Sequence, residues 1–168
     1  DSFSYGFDPH DFSRNTLVED NQAFNNGNHG FIISRGCFGF VFRRNKSFGN
    51  VYRVDSKSNR AHGFMLDPGG LTSTGGPYTP SYDNLLEFNE AYDNQGYGIR
   101  MLDTLSNTVR NNVFRNNLRG MTIERNSSNN LITGNLIANN TEFGIQLTGD
   151  SSLGHAHDNR VTGNTITG

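Results

Sequence analysis

Four side chains able to give, take or steer a proton fall within seven residues of the stretch SYGFDPHDFSRNT: Tyr5, Asp8, His10 and Asp11. Pro9 stands between the aspartate and the histidine and fixes the backbone there. Arg35 closes a second stretch, HGFIISR. An imidazole with an unperturbed pKa of about 6.5 can take a proton at neutral pH, and a phenol can give one. An arginine one repeat away can neutralise a carboxylate. Together these groups suit removal of the proton α to the carboxylate of a uronic acid. That proton is too weakly acidic to leave unless the charge on the carboxylate and on its aci-carboxylate intermediate is neutralised. The plainer alternative is a solvated histidine beside an Arg35–Asp11 ion pair.

Composition narrows what else the chain can do. A net charge of -2 over 168 residues supplies no basic field for nucleic acid, and no apolar run approaches the roughly 20 residues of a membrane span. Cys37 is the only cysteine, which excludes a disulfide within the chain and reads as a small buried hydrophobe. Of the 14 basic residues two, Lys46 and Lys57, are lysines, so arginine, the side chain that grips carboxylates in a bidentate way, dominates. The chain has no initiator methionine and no signal peptide, and it starts inside an apparent strand. It reads as one domain, residues 1–168, cut from a longer protein.

The elements that must position the cluster show themselves as a repeat. Asn84, Asn107 and Asn130 each open an apolar run, 23 residues apart, and Asn15 and Asn159 open units of the same kind. Each unit holds three short β-runs separated by Asn or Gly corners, with no helix-period segment. The period predicts an all-β right-handed parallel β-helix of about six coils, with three strands per coil and successive coils about 4.8 Å apart. The asparagines then tolerate left-handed corners and hydrogen-bond the coil above. The ends of such a solenoid lack capping segments, and association through the uncapped coils is expected.

The third run of each unit begins with a glycine: Gly6, Gly30, Gly63, Gly98, Gly120 and Gly144. Counting from it, the first and third positions point inward by alternation, as in Phe31 and Ile33, Phe64 and Leu66, or Ile145 and Leu147. The second and fourth face outward: Asp8 and His10, Ile32 and Ser34, Met65 and Asp67, Arg100 and Leu102. The residue before each glycine forms another column, Tyr5, His29, His62, Tyr97, Arg119 and Phe143. One outer face therefore carries the cluster together with His29, His62, Asp67 and Arg100. Two insertions, YRVDSKSNR and PGGLTSTGGPYTP, bracket the strand HGFMLD and are expected to wall a groove.

YGFDPHD followed by HGFIISR resembles the mannuronan C-5-epimerases, alginate-modifying enzymes built on a right-handed parallel β-helix. The resemblance rests on motifs within residues 1–70 and on repeat character beyond them. It implies that His10 is the principal proton-transfer residue and that Asp8 sets its charge and orientation. It implies that Arg35 neutralises the substrate carboxylate, as in the periplasmic type, and that Tyr5 exchanges the second proton, as in the secreted type. His62 in RAHGF resembles an Arg-His-Gly-Phe element, with Ala61 intervening after Arg60. The implied catalytic set is His10, Tyr5, Asp8 and Arg35, with Asp11, His29, Arg60, His62, Asp67 and Arg100 lining the substrate path. The implied reaction is conversion of β-D-mannuronate to α-L-guluronate within alginate, an anionic polysaccharide met outside the cell, in the cell wall or in the periplasm.

A uronate lyase begins with the same proton abstraction and differs by expelling the 4-linked sugar; a non-catalytic sugar-binding β-helix would use the same face without turnover. No cofactor is expected and no metal ligand is assigned. Calcium is the one ion the reading admits, since acidic loops and uronates bind it, although no Asp-rich nonapeptide repeat occurs.

Overall fold

The computed structural model describes residues 4–52, 60–69 and 79–168. Among these residues eighteen short strands form three six-stranded sheets, in which the neighbours are strands from successive coils, apart from one hairpin of Ile145–Asp150 with Gly154–His155. The chain visits the first sheet at Leu17–Glu19, the second at Gln22–Phe24 and the third at Phe31–Ser34, then repeats the circuit one rung higher. Pairing is parallel throughout except where Gly149 and Asp150 meet His155 and Gly154 in an antiparallel step. In the first sheet Leu85 lies beside Thr108 and Thr108 beside Leu131, which is the 23-residue period of the sequence. In the third sheet Phe31 pairs with Phe64 and Phe64 with Ile99. The longer steps there contain the two insertions, whose centres, 53–59 and 70–78, lie outside the described residues.

The interior is one continuous apolar cluster running from Val18 to Ile137. Phe42, Leu86, Ile99, Phe114 and Ile132 are at most 1 % exposed. The Phe31 and Phe64 rings stack at 5.1 Å and 10°, the ladder packing expected when like side chains repeat every rung. The inward assignment holds for the first and third positions of the third sheet until the last coil, where Leu147 is 50 % exposed. The glycine that opens each third-sheet strand is required by close approach. A Cβ on Gly63 would stand 2.5 Å from the Ala91 Cβ and 2.6 Å from the Gly98 carbonyl oxygen.

The corner asparagines divide the labour that the sequence reading gave to each of them. Left-handed backbone falls on the residue before the ladder asparagine, as at Arg44, Phe88 and Asn111, with φ of 53°, 56° and 54°. The following Asn45, Asn89 and Asn112 turn inward, each at most 2 % exposed. Asn112 shows the full pattern. Its Nδ2 donates to the Leu86 carbonyl and to Asn135 Oδ1, while its Oδ1 accepts from the backbone N–H and side-chain amide of Asn89. Buried polar corners are thereby satisfied coil by coil.

Candidate active site

The site is built on the third sheet, where a repeating corner sets side chains one rung apart. Tyr5, His29 and His62 stand in one column: Tyr5 and His29 stack at 5.5 Å and 24°, His29 and His62 at 4.5 Å and 8°. Tyr97 meets His62 edge-on at 4.9 Å, and Arg119 lies over both Tyr97 and Phe143. The backbone N–H of His62 donates to His29 Nδ1 at 3.0 Å, and that of Tyr97 donates to His62 Nδ1 at 3.1 Å. Gly96 lies flush against the second of these rings; a Cβ there would be 2.2 Å from His62 Nδ1.

This column flanks a cavity of about 390 Å³. Tyr5, Asn28, His29, Arg60 and His62 line it from one side, and Tyr97, Arg100 and Arg119 from higher coils. Met65 and Leu102 form part of its floor, and Asp67 opens into it. Ile32, Met65 and Leu102 leave the core cluster, as alternation requires, yet are 4, 3 and 7 % exposed, forming a second apolar cluster against which Tyr5 packs. Outward direction on this sheet therefore does not mean exposure.

Burial decides the protonation states in the cavity. It pushes His29 down to about 3, with the Arg100 charge adding to the effect. His62 is held well below the usual imidazole range, first by burial and then by the charges of His29, Arg100, Arg119 and Arg60. Asp67 is raised by burial, against the opposing Gly69 N–H, which donates to its Oδ1 at 2.9 Å, and the Arg100 charge. Tyr5 is raised first by burial, then by the charges of Asp8 and Asp67. At neutral pH the two histidines are uncharged and the phenol is intact.

Asp8, His10, Asp11 and Arg35 do not line this cavity. They form a contiguous cluster at the edge of the same face, on the first two coils. The offset of 24 that pairs Phe7 with Phe31 and Arg14 with Phe38 sets His10 beside Ser34, in the outward column that continues to Asp67. His10 Nε2 and Asp8 Oδ2 are 2.6 Å apart, and Arg35 Nη1 lies 3.6 Å from Asp11 Oδ1. Arg35 rests its stem on Gly69, where a Cβ would be 2.4 Å from Arg35 Cγ, so it abuts the segment that carries Asp67. Asp8 Oδ1 is buried with no partner among the described residues. Tyr5 joins the two groups: it lines the cavity, and its hydroxyl feels the charges of Asp8, Asp67 and Arg35.

Of the ten residues read from the sequence, six line the cavity and four make the adjoining cluster. Arg100 and Arg60 are engaged as well as present. Arg100 is held by both oxygens of Glu124, through Nε at 3.1 Å and Nη2 at 2.7 Å, and Arg60 lies 3.7 Å from Glu142. The residues not singled out were Asn28, Tyr97 and Arg119, plus Glu124 and Glu142 behind the arginines. Tyr97 and Arg119 had a signal, since both stand in the column before the glycines. Arg119 donates to the Tyr97 hydroxyl at 2.6 Å and pairs with Glu142. Among the described residues no group of three or more His, Cys, Asp or Glu side chains gathers to hold a metal ion. Nor, among those residues, is any helix long and apolar enough to cross a membrane.

Comparison with known proteins places this geometry in a family. Residues 55–166 match the family described as a right-handed β-helix region. The chain is 28 % identical over 146 residues to a mannuronan C5-epimerase of Pseudomonas putida, a match that covers 86 % of this chain and 24 % of that protein. It is 35 % identical over 95 residues to the mannuronan C5-epimerase AlgE3 of Azotobacter vinelandii, covering 56 % and 4 %. The chain thus spans about a quarter of the first relative's length. Among solved structures, the A-module of the A. vinelandii mannuronan C-5 epimerase AlgE4 superposes with a TM-score of 0.77 at 23 % identity, over 97 % of this chain and 42 % of that one. The periplasmic alginate epimerase AlgG superposes at 0.71 and 24 %, over 97 % and 39 %. The chain belongs to the right-handed β-helix family, and it resembles the mannuronan C5-epimerases.

Proposed function

We propose that the protein epimerises mannuronate to guluronate at C-5 within alginate, outside the cell or in the periplasm. The observation that carries this reading is the double role of Asp8. Its Oδ2 accepts a hydrogen bond from His10 Nε2–H, which leaves the lone pair of the ring on Nδ1. Its charge also helps to hold the Tyr5 phenol protonated. One carboxylate thus bears on both a base and an acid, the pairing a two-proton exchange requires.

In the proposed step His10 Nδ1 takes the C-5 proton, and the C–H electron pair moves into the carboxylate to give the aci-carboxylate. The Arg35 guanidinium offsets its second negative charge. The Tyr5 hydroxyl then gives a proton to the opposite face of C-5, leaving a phenolate that solvent reprotonates, while His10 returns its proton to solvent. Similarity to mannuronan C5-epimerases supports the same reading.

The test is proton NMR of polymannuronate incubated with the protein in deuterated buffer. Guluronate signals with deuterium at C-5 are expected. Ultraviolet-absorbing unsaturated ends would instead identify a lyase, and unchanged polymer that still binds would identify a binding module.

A further inference from the structure

His29 and His62 carry their proton on Nε2, as His10 does beside Asp8, but in these two rings it is Nδ1 that is engaged and Nε2 that is free. Each accepts a backbone N–H at Nδ1 from the next residue in its own column, His62 onto His29 and Tyr97 onto His62. An imidazolium, or the other neutral tautomer, would set an N–H against that N–H. A flipped ring would set a C–H there and strand a buried donor. Nδ1 is therefore unprotonated in both rings, and each neutral ring carries its proton on Nε2. Neither Nε2 has a partner among the described residues, although both rings line the cavity. The rings are parallel and 4.5 Å apart, so the structure presents two uncharged N–H donors side by side.

We infer that His29 and His62 form a neutral donor pair that binds a substrate carboxylate through Nε2–H and takes no part in proton transfer. The identity of the carboxylate, a uronate of the bound polymer, rests on the function proposed above; the donor pair does not. The charged groups around the pair agree with an anionic ligand. Arg60, Arg100 and Arg119 approach His62 and Arg100 approaches His29, whereas Tyr5, stacked on His29, stays uncharged. Among the described residues Asp67 is the one carboxylate lining the cavity, and burial favours its protonated form. A donor that burial holds neutral keeps its hydrogen bond across the working pH range.

The test is long-range ¹⁵N–¹H NMR of histidine-labelled protein, with uronate and neutral oligosaccharides as probes. Two of the five histidines are expected to stay neutral with the proton on Nε2 down to about pH 4. Oligomannuronate should displace their Nε2 resonances, and a cello-oligosaccharide of equal length should not. Protonation of these rings between about pH 5 and 8, a proton on Nδ1, or an equal response to both sugars would overturn the inference. In kinetics, His29→Asn keeps an acceptor where Nδ1 stood and removes the cavity donor, and His29→Gln restores a donor. The first should raise KM about ten- to a hundredfold without displacing the pH limbs of kcat/KM, and the second should recover part of the loss. Displaced limbs would make His29 a proton-transfer group and overturn the inference. If the NMR results hold and no variant or parent turns over polymer, the donor pair stands and the epimerase reading fails.

Discussion

Asp8 Oδ2 lies 2.6 Å from His10 Nε2, and this contact selects which nitrogen of His10 is free to act as a base. Replacing the carboxylate by an amide reverses the selection. In Asp8→Asn the side chain can offer an N–H to Nε2, which moves the ring proton to Nδ1. We expect kcat to fall about 10²- to 10⁴-fold, matching His10→Ala, with an unchanged circular dichroism spectrum. Turnover of Asp8→Asn within about twofold of the parent would remove Asp8 from its assigned role.

Acid should destabilise the fold through the buried histidine column. His29 stays neutral in the folded protein down to about 3, whereas in the unfolded chain it titrates at its ordinary value of 6.5. Between those values the unfolded state binds more protons, so stability rises with pH and is lost as pH falls. The slope from this one group is at most about 1.4 kcal/mol per pH unit. Urea midpoints measured from about pH 7 to 4 should decline, and His29→Asn should decline less steeply.

The asparagine ladders should be costly to interrupt. Asn112→Ala removes two donated and two accepted hydrogen bonds in a fully packed corner, and it strands the Asn89 N–H. A loss of about 2–4 kcal/mol is expected by denaturant titration. The neighbouring Asn111→Gly keeps the left-handed corner, where φ is 54°, and should cost no more than about 1 kcal/mol.

Glu124 competes with substrate for Arg100. The pair is bidentate, and the glutamate is the more buried partner, with its side chain 13 % exposed against 29 % for the arginine. Glu124→Gln frees a positive charge on the cavity wall and should lower KM for oligomannuronate about three- to tenfold at low salt, an advantage that shrinks as ionic strength rises. Arg100→Ala should raise KM. If neither variant changes KM, the cavity is not where the polymer binds.

The 23-residue asparagine spacing, the glycine before each third strand and strict alternation within it were enough to reveal the coils, the interior cluster and the outward face carrying Asp8, His10, His29, His62, Asp67 and Arg100. These features are legible because a solenoid repeats one local solution, so register between coils is a count along the chain. What the count could not supply is decided across rungs. The ladder asparagine and the left-handed residue before it are often both Asn, and only the inward turn of the second distinguishes them. Ile32, Met65 and Leu102 alternate outward as a solvated residue would, yet they are buried as a second apolar cluster. Arg100 reads as a free cation until Glu124, one coil on, is seen to hold it. The three site histidines are one letter in the sequence. Their free nitrogens differ, Nδ1 in His10 and Nε2 in the other two, because His10 meets a carboxylate two residues away, while His29 and His62 each meet a backbone N–H that arrives 33 or 35 residues later. Hydrogen-bond partners of that range are set by how the coils stack, and only the folded chain contains them.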